Sequence, residues 1–384
     1  MPLLLLSELF PPAVGGSAVL FANIYGRVRD DVVVLTDSVT SPGCEDERRG
    51  ALRILRRPIA SSRWGLLDPV GLRQHLRLAW QTRQLGAASV VHCARALPEG
   101  LAAALARTGG GPRFVVWTHG EDLVTAATSR ELRLLTRWVY RRASAAVANS
   151  RNTARLLEAF GVPRPKIDIV YPAVDPNRFH PSVDGRPMRA ALGIDDRTVL
   201  ILSVGRLQRR KGHDVMLRAL ARLGRMHPPL HYVIVGDGKE RIRLEILAHE
   251  CGVREQVTFM GEVSDEALPA WYAASDIFAL PNRVDDDGDI EGFGIVFLEA
   301  AASGRPAIGG DSGGVPEAID RGVSGLLVDG ASVDAVADAI RTLALNPALR
   351  HHLGNAARAR VLRRFTWERA AEQIGRLNAR VAAR

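Results

Sequence analysis

The chain has 384 residues, about two or three times the commonest size of one domain, so it is long enough for two domains with separate cores. Apolar residues make up 47% and charged residues 24%, which is ordinary for a globular protein and excludes extensive disorder. The net charge of +9 comes from the first 172 residues, and no groove-reading or base-stacking motif accompanies it, which argues against nucleic acid as a partner.

The first apolar run, Leu3 to Leu6, is predicted to be a buried strand. It is far shorter than the roughly 20 residues that cross a bilayer, and no cationic residue precedes it as a secretory signal would require. The three cysteines, Cys44, Cys93 and Cys251, have no paired spacing, so neither a disulfide framework nor a zinc cluster is indicated. We therefore expect a cytoplasmic protein in a reducing compartment.

Short apolar runs alternate with longer helical patterns in both halves of the chain. Continuous β-branched runs separated by helices are typical of parallel strands covered on both faces. The predicted fold class is α/β, with two Rossmann-like, doubly wound parallel-sheet domains facing a cleft. The predicted strands are Leu3 to Leu6, Val32 to Leu35, Ser89 to His92, Phe114 to Thr118, Ala145 to Ala148, Ile167 to Tyr171, Val199 to Val204, His231 to Val235, Val257 to Met260, Ile277 to Leu280, Pro306 to Ile308 and Gly325 to Val328.

Two prolines near residue 172 indicate the joint between the domains. The first domain is predicted over residues 1–172 and the second over residues 173–366. A helical stretch from Trp367 onward has no strand after it. In doubly wound sheets, ligands bind at the carboxyl ends of the strands, so we expect the functional residues in the strand-to-helix loops.

In the first half, two of these loops are candidates for ligand contacts. Gly15 and Gly16 join the first strand to the first helix, and such a turn lets backbone amides meet a phosphate or a sugar; any tight turn also favours glycine. His119 follows the strand Phe114 to Thr118, where its side chain could point across the cleft or be a structural histidine.

The segment from Arg48 to Arg83 is strongly basic. It contains nine arginines and a single acid, Asp68, with tryptophans and leucines interleaved. A surface of this composition can lie on anionic lipid headgroups. The alternative is a solvated face in a protein that uses arginine as its default cation, since only three lysines occur in the chain.

In the second half, the loop after the strand Val199 to Val204 carries cations. Gly205 ends the strand, Arg206 can grip phosphate oxygens with its planar fork, and Lys211 adds a compact charge. Together they could stabilise a departing diphosphate. The neighbouring Arg209 and Arg210 are weaker candidates for binding a diphosphate, because a basic loop is common in a basic chain.

The most specific element contains Glu291 and Glu299, which are separated by seven residues. Glycines 292 and 294 allow close backbone approach, and a helix starting near Gly294 offers free N–H groups to an anion. Carboxylates on either side of such a site suit a phosphorylated sugar, with Glu291 accepting from sugar hydroxyls and Glu299 from ribose hydroxyls. Gly236 and Gly238 begin like a dinucleotide fingerprint, but the third glycine is missing, which argues against nicotinamide binding.

The order of these motifs resembles the retaining glycosyltransferases of the GT-B fold, in the large family that includes glycogen-synthase-like enzymes and lipid mannosyltransferases. The similarity spans nearly the whole chain, and the Glu-x₇-Glu element from Asp289 to Ala300 is its most specific part. With the segment from Gly310 to Glu317, it is most similar to bacterial phosphatidylinositol mannoside mannosyltransferases, which use GDP-mannose.

The resemblance implies a role for each matching residue. Arg206 and Lys211 would hold the donor diphosphate, Glu299 the ribose, and Glu291 the donor sugar. Gly16 and His119 would approach the phosphates and the sugar from the acceptor-side first domain, onto which the last helix, 367–384, would pack back. The remaining donor contacts implied are the backbone amides of Phe293, Gly294 and Ile295 and, for the base, the stretch from Met260 to Val263.

The predicted reaction transfers a hexose, most simply mannose from GDP-mannose, to an acceptor hydroxyl, with a lipid or glycolipid as the candidate acceptor and with retention at the anomeric carbon. No metal or other cofactor is expected, because Arg206, Lys211 and the helix start near Gly294 would neutralise the leaving diphosphate. Three alternatives stay open: a nucleotide-sugar epimerase, a UDP-sugar-dependent transferase with a soluble acceptor, and a catalytically silent nucleotide-sugar-binding subunit.

Overall fold

A computed structural model describes residues 2–13, 15–38, 46–59, 64–87, 90–285 and 288–383. Cys44, Arg63 and Ser89, which enter the sequence predictions, lie outside these ranges. The chain divides into two compact units. The first unit comprises residues 1–172 with 367–384, and the second comprises residues 173–366.

The first unit is built on an eight-stranded sheet with the order β3-β4-β2-β1-β5-β6-β7-β8. All neighbouring strands are parallel except β3 and β4, which pair antiparallel at one edge. The strands are β1 (Leu3–Ser7), β2 (Val32–Asp37), β3 (Glu47–Arg49), β4 (Leu52–Arg57), β5 (Val90–Cys93), β6 (Phe114–Thr118), β7 (Ala145–Ala148) and β8 (Ile167–Ile169). The helices are α1 (Gly16–Tyr25), α2 (Pro69–Leu85), α3 (Leu101–Thr108), α4 (Glu121–Ala127), α5 (Arg130–Arg142) and α6 (Arg151–Ala159).

Strands β3 and β4 lie in the arginine-rich segment and were not predicted. In β4, Leu52, Ile54 and Leu55 are buried, while the arginines between and after them obscure the apolar pattern of the strand. Arg56 is itself buried, where its guanidinium contacts Glu47 at 2.7 Å. An arginine paired in this way can occupy a strand that the sequence pattern assigns to a solvated face.

The second unit is built on a six-stranded, wholly parallel sheet with the order β11-β10-β9-β12-β13-β14. The strands are β9 (Val199–Val204), β10 (Leu230–Val235), β11 (Val257–Gly261), β12 (Ile277–Leu280), β13 (Ala307–Gly310) and β14 (Gly325–Val328). The helices are α7 (Arg186–Ala191), α8 (His213–Leu223), α9 (Arg241–Glu250), α10 (Leu268–Ala274), α11 (Ile295–Ala302), α12 (Val315–Ala318), α13 (Val333–Leu345) and α14 (Pro347–Arg364). The prediction of two doubly wound parallel sheets is confirmed.

The last helix, α15 (Trp367–Ala382), belongs to the first unit, where it packs against α1 and β5. Its apolar face is buried, including Ile374 and Val381. Arg113 donates to the carbonyl groups of Val381 and Ala382 at 3.2 and 3.0 Å, which satisfies the free carbonyls at the helix end. Within the described ranges, no helix has both the length and the apolar character needed to cross a membrane.

Candidate active site

In the second unit, three loops meet at the carboxyl edge of the sheet. A Cβ on Gly236 would lie 2.2 Å from the carbonyl oxygen of Gly205, so only glycine allows the loops after β9 and β10 to approach this closely. The N–H of Gly236 donates to the carbonyl of Gly261 at 2.7 Å, which adds the carboxyl end of β11. Gly236, which resembles part of a dinucleotide fingerprint, therefore serves to pack these loops together.

The loop after β9 presents its cations in two directions. Arg206 is exposed, and among the described residues it has no ion pair or hydrogen bond. Arg210 and Lys211 turn inward, with side chains that are 8% and 11% exposed, whereas Arg209 is 56% exposed. Gly212 follows with φ of 74°, and a Cβ there would lie 2.2 Å from the carbonyl oxygen of Pro281, so the inward turn depends on glycine.

The inward cations converge on one carboxylate oxygen, Oε2 of Glu291. Lys211 Nζ lies 2.5 Å from this atom, Arg210 Nη1 lies 3.0 Å from it, and Asn282 Nδ2 lies 3.2 Å from it. Arg210 Nε also lies 2.8 Å from Oδ2 of Asp289. The site therefore holds two nearly buried cations balanced by two carboxylates.

Burial by itself would raise the pKa of Glu291, but the positive charges of Lys211 and Arg210 and their hydrogen bonds lower it below the ordinary value. Glu291 is therefore an anion throughout the neutral range. A carboxylate that accepts from three donors is well oriented and weakly nucleophilic.

The loop from Glu291 to Gly294 is held against the loop after β13. The N–H of Gly314 donates to the carbonyl of Glu291 at 2.9 Å, and a Cβ on Gly313 would lie 2.2 Å from the same oxygen. Gly294 has φ of 89° and directly precedes α11. Phe293 is buried and Ile295 is the first helical residue, so the amides of residues 293–295 lie at the helix start, where an anion is favoured.

Glu299 lies in a different environment, just over one turn into α11. It is half-buried, and the Tyr272 hydroxyl donates to Oε2 at 2.6 Å. Burial raises the pKa of Glu299 to about 7, which the Tyr272 hydrogen bond and the Arg178 charge oppose. The Tyr272 ring is held edge-on by Phe179, with the ring centroids 5.5 Å apart.

Met260 and Val263 lie at the end of β11 and in the loop that follows it. Met260 is 36% exposed and Val263 is half-buried. Because the carboxyl end of β11 is hydrogen-bonded to the Gly236 loop, both residues lie on the same sheet edge as Gly205. Their exposure leaves apolar surface available to a planar ring.

In the first unit, His119 follows β6, as predicted. Its Nε2–H donates to the carbonyl of Ala94 at 3.1 Å, and Oδ1 of Asp122 accepts from the His119 backbone N–H at 3.1 Å. Burial lowers the pKa of His119, partly opposed by the charge of Asp122. The imidazole is therefore neutral at pH 7, and Nδ1 is left as a hydrogen-bond acceptor.

The Gly15–Gly16 turn begins α1 in the same unit. A Cβ on Gly16 would meet no atom within 4 Å, so the start of this helix is open on that side. Phe21 of α1 packs edge-on against His119, with the ring centroids 5.8 Å apart. The helix that begins at the glycine turn thus also supports the histidine.

Sequence reasoning missed four polar residues of these sites. Arg210 was given a weaker case than Lys211, and nothing in the sequence marked Asn282, Tyr272 or Asp122. The signal for Arg210 was its position directly before Lys211, in a turn closed by glycine. Tyr272 lies 27 residues from Glu299, and Asn282 lies nine residues from Glu291, so the fold brings these pairs together. Asp122 lies only three residues after His119, where it accepts from the His119 backbone N–H.

Two parallel sheets, with cations and carboxylates at the strand ends of one and a neutral histidine at a strand end of the other, define a glycosyltransferase of the GT-B fold. Comparisons with known proteins agree. Residues 185–360 match the family model described as glycosyl transferases group 1, and residues 14–178 match glycosyltransferase family 4. The chain belongs to the group 1 glycosyltransferases.

Its relatives include enzymes of glycolipid synthesis. The chain is 34% identical over 381 residues to the GDP-mannose-dependent alpha-(1-6)-phosphatidylinositol monomannoside mannosyltransferase of Mycobacterium tuberculosis, covering 97% of this chain and 96% of that protein. It is 38% identical over 231 residues, 58% of this chain and 54% of that protein, to a D-inositol 3-phosphate glycosyltransferase of Corynebacterium jeikeium. Among solved structures, sucrose-phosphate synthase from Thermosynechococcus elongatus shares the fold with a TM-score of 0.81 and 24% identity, over 100% of this chain and 99% of that one.

Proposed function

We propose that this glycosyltransferase moves mannose from GDP-mannose to a hydroxyl of a phosphatidylinositol-based glycolipid, with retention at the anomeric carbon. The observation that carries the proposal is the pair of cations, Arg210 and Lys211, which lie at the strand end beside the start of α11 and share Glu291. The donor and the acceptor class follow from the names of relatives that are similar over nearly the full chain.

Donor binding redistributes the charges of this cluster. Arg206 and Lys211 neutralise the diphosphate, and Arg210 adds a third positive charge beside them. The exposed Arg206 gives the site an excess of positive charge before the donor arrives. Once the phosphates attract Lys211 and Arg210, Glu291 accepts hydrogen bonds from the sugar hydroxyls, and the amides of residues 293–295 also face the donor.

The chemical step breaks the bond between the anomeric carbon and the β-phosphate oxygen. The acceptor oxygen forms the new bond on the same face of the sugar, and its proton passes to the departing phosphate, which leaves as GDP. Glu291 is a poor covalent nucleophile because its carboxylate stays hydrogen-bonded, by Asn282 and the sugar hydroxyls, after the cations turn to the phosphates. Preorganised cations stabilise the charge that develops on the diphosphate, and in this proposal they do so without a metal ion.

Other residues recognise the remaining parts of the donor. Glu299 accepts from the ribose hydroxyls, with Tyr272 orienting the carboxylate. The base lies along the stretch from Met260 to Val263. From the first unit, the helix start at Gly16 interacts with the phosphates, and Nδ1 of the neutral His119 accepts from a sugar hydroxyl.

We also propose that helix α2 contacts an anionic membrane surface, which makes the enzyme a peripheral protein at the cytoplasmic face. Leu72, Leu76 and Trp80 recur every four residues on α2 and are 38%, 51% and 59% exposed. Arg73 and Arg77 lie beside them and are exposed. Strand β4 also lies in the basic segment, but its Arg56 and Arg57 form ion pairs with Glu47 and Asp46. Because these charges are paired within the protein, α2 is the better candidate for contact with lipid.

The donor and acceptor are tested together. Purified enzyme is incubated with GDP-mannose, UDP-glucose or UDP-N-acetylglucosamine, with and without phosphatidylinositol mannoside in vesicles. The proposal expects GDP release and an α-linked mannolipid from GDP-mannose only when the lipid is present. A changed sugar nucleotide without acceptor would favour an epimerase. Turnover of a UDP-sugar in place of GDP-mannose would favour the second alternative, and binding without turnover would favour a silent subunit.

The membrane contact has its own test. Sedimentation with anionic vesicles, but not with neutral ones, is expected at low salt and should be lost at high salt. The double variant Arg73→Gln with Arg77→Gln should reduce sedimentation, whereas Arg209→Gln, an exposed arginine of the second unit, should not. Equal binding of the unaltered protein to both kinds of vesicle would contradict the proposal.

A further inference from the structure

A chain of buried hydrogen bonds lies in the second unit, next to the turn that carries Lys211. His213 follows Lys211 by two positions and is the first residue of α8. Its Nδ1 atom lies 3.1 Å from the Tyr232 hydroxyl oxygen, which lies 2.8 Å from Oγ of Ser203. The Ser203 hydroxyl donates to the carbonyl of Ala279. The chain thus connects the start of α8 to strands β10, β9 and β12.

The number of available protons fixes the direction of every bond in this chain. A carbonyl oxygen only accepts, so Ser203 donates its proton to Ala279, and the Ser203 oxygen accepts from the Tyr232 hydroxyl. Because Tyr232 has then donated its single proton, its oxygen accepts from His213. Three contacts need three protons, and the third is the Nδ1–H of a neutral His213 ring.

Burial favours the same assignment. His213, Tyr232 and Ser203 are each 2% or less exposed. Burial and the charge of Lys211 lower the pKa of His213 to about 3, and burial raises the pKa of Tyr232, so neither ring changes its protonation near neutral pH. Among the described residues, Nε2 of His213 has no hydrogen-bond partner. A proton on Nε2 would therefore be a buried donor without an acceptor, and one contact of the chain would lack a proton.

The same turn is held on its other side by the loop after β12. The N–H of Arg283 donates to the carbonyl of Arg210 at 2.9 Å. The Arg283 guanidinium also forms a bidentate ion pair with Asp214, in which both N···O distances are 3.0 Å. Lys211 and His213 lie between these two anchored residues. The hydrogen bonds of His213 therefore tie the middle of the turn to the sheet and set the path of the backbone that carries Lys211.

The position of this turn matters because its cations act at short range. Lys211 Nζ lies 2.5 Å from Oε2 of Glu291, and Arg210 Nη1 lies 3.0 Å from the same oxygen. Hydrogen bonds weaken steeply when their distance and angle depart from the optimum, so a small shift of the turn weakens the contacts of both cations. A fixed turn keeps the two charges preorganised for the diphosphate, which stabilisation of the transition state requires.

We propose that His213 is a positioning residue for the transfer reaction. Its neutral Nδ1–H, donated to Tyr232, fixes the turn that carries Arg210 and Lys211. The buried ring acts on the cations, does not touch the donor, and neither accepts nor releases a proton during transfer. This inference rests on the function proposed above for the two cations.

The test compares two substitutions of His213. His213→Leu removes the Nδ1–H at similar volume, so transfer kcat should fall by about tenfold, in line with the sensitivity of such steps to small misplacements. GDP affinity should fall by about fivefold as the charged hydrogen bonds weaken, while guanosine affinity stays unchanged. His213→Asn keeps an N–H donor near the position of Nδ1 and should recover most of both losses.

The matched control is His231→Leu. His231 precedes Tyr232 on β10, is half-buried, and its Nε2 atom lies 2.8 Å from Oγ1 of Thr258. The control makes the same exchange and also removes a histidine hydrogen bond within this sheet. Because His231 has no contact with the turn after β9, kcat and GDP affinity should be unchanged.

Two kinds of result would overturn the inference. One is kinetic: His213→Leu leaves kcat and GDP affinity unchanged, weakens GDP and guanosine equally, or performs no worse than a folded His213→Asn. The other uses only the unaltered protein, so it does not depend on the folding of a variant. Nitrogen-15 NMR of the histidine rings should show the Nδ1–H tautomer for His213, and an Nε2–H signal would contradict the proposal.

Lys211→Ala separates this inference from the proposed function. If Lys211→Ala lowers transfer and His213→Leu does not, only the positioning role fails. If Lys211→Ala transfers at the normal rate, the function proposed for Lys211 itself fails.

Discussion

Glu291, in the glycine loop, and Glu299, within helix α11, lie in opposite environments. Glu291 accepts from two cations and an amide, which hold its pKa below the ordinary range, whereas Glu299 accepts from one hydroxyl and has a pKa of about 7. The spacing of seven residues would suggest a matched pair. In the structure, the pKa of Glu291 is instead lowered and that of Glu299 is raised to about 7.

This difference suits the two carboxylates to the different tasks that we propose for them. An ionised carboxylate between cations belongs where the diphosphate and the sugar meet, because its charge balances the cations until the donor binds. A carboxylate in a less polar environment gains most when a ligand supplies further hydrogen-bond donors, as ribose hydroxyls do.

The largest expected effect is on the cations around Glu291. Lys211→Ala should lower kcat by on the order of 10² to 10³, because it removes a preorganised charge from the leaving diphosphate. Arg210→Ala should follow in the same direction. The matched control is Arg209→Ala, whose side chain points outward, and equal losses at residues 209 and 210 would contradict the assignment.

The second prediction compares the glutamates directly. Glu299→Gln should raise the KM for GDP-mannose by about 10-fold or more, the cost of weakening hydrogen bonds to a charged group, with a smaller change in kcat. Glu291→Gln should mainly lower kcat. Steady-state kinetics over a range of donor concentrations separates the two patterns. A larger KM effect in Glu291→Gln and a larger kcat effect in Glu299→Gln would contradict the different roles proposed for the two glutamates.

The third prediction concerns stability without donor. The raised pKa of Glu299 means that its ionisation opposes folding; this penalty is fully present above pH 7 and disappears as the pH falls toward the ordinary carboxyl value. Glu299→Gln should therefore raise the thermal unfolding midpoint at pH 8. For Glu291, whose pKa is lowered, the same substitution should decrease the midpoint, since the carboxylate stabilises the fold above its ordinary pKa.

The fourth prediction is a shift in the pH dependence of donor binding. Affinity for GDP should decrease as the pH falls through about 7, because protonated Glu299 accepts fewer hydrogen bonds from the ribose. Tyr272→Phe removes a hydrogen bond that lowers the pKa of Glu299, so it should move the midpoint to higher pH. Calorimetric titration between pH 6 and 8.5 measures both midpoints, and identical midpoints would contradict the account.

The smallest expected effect is that of a metal chelator on the transfer rate. If Arg206, Arg210 and Lys211 neutralise the diphosphate, a chelator such as EDTA should leave the transfer rate unchanged. Loss of activity with recovery on adding Mg²⁺ would show that a metal ion shares this task.

The sequence predicted the strands well where they are buried on both faces. Leu3 to Leu6 and Phe114 to Thr118 are continuous apolar runs, and both form central strands. Strand β4 was missed because its arginines conceal the apolar residues, and one of these arginines is buried by pairing with Glu47. Pairing of this kind depends on a residue from another strand, which a local pattern does not contain.

The candidate site shows the same limit. The Glu-x₇-Glu spacing and the presence of Lys211, one of only three lysines in the chain, pointed to Glu291 and Lys211. The structure brings these two side chains within 2.5 Å of each other. Whether Arg206 or Arg210 turns inward depends on a turn closed by Gly212, and the raised pKa of Glu299 depends on burial by the fold. The sequence identifies candidate site residues by their type and spacing. The direction of a side chain and the extent of its desolvation require the structure.

The most direct test of the account compares ligands that differ only in their phosphates. GDP and guanosine are titrated calorimetrically into the unaltered enzyme and into Lys211→Ala. We predict that GDP affinity falls by about tenfold or more in the variant, the cost of a lost charged hydrogen bond, while guanosine affinity is unchanged. An equal loss for both ligands, or no loss for GDP, would contradict the claim that this cluster binds the donor diphosphate.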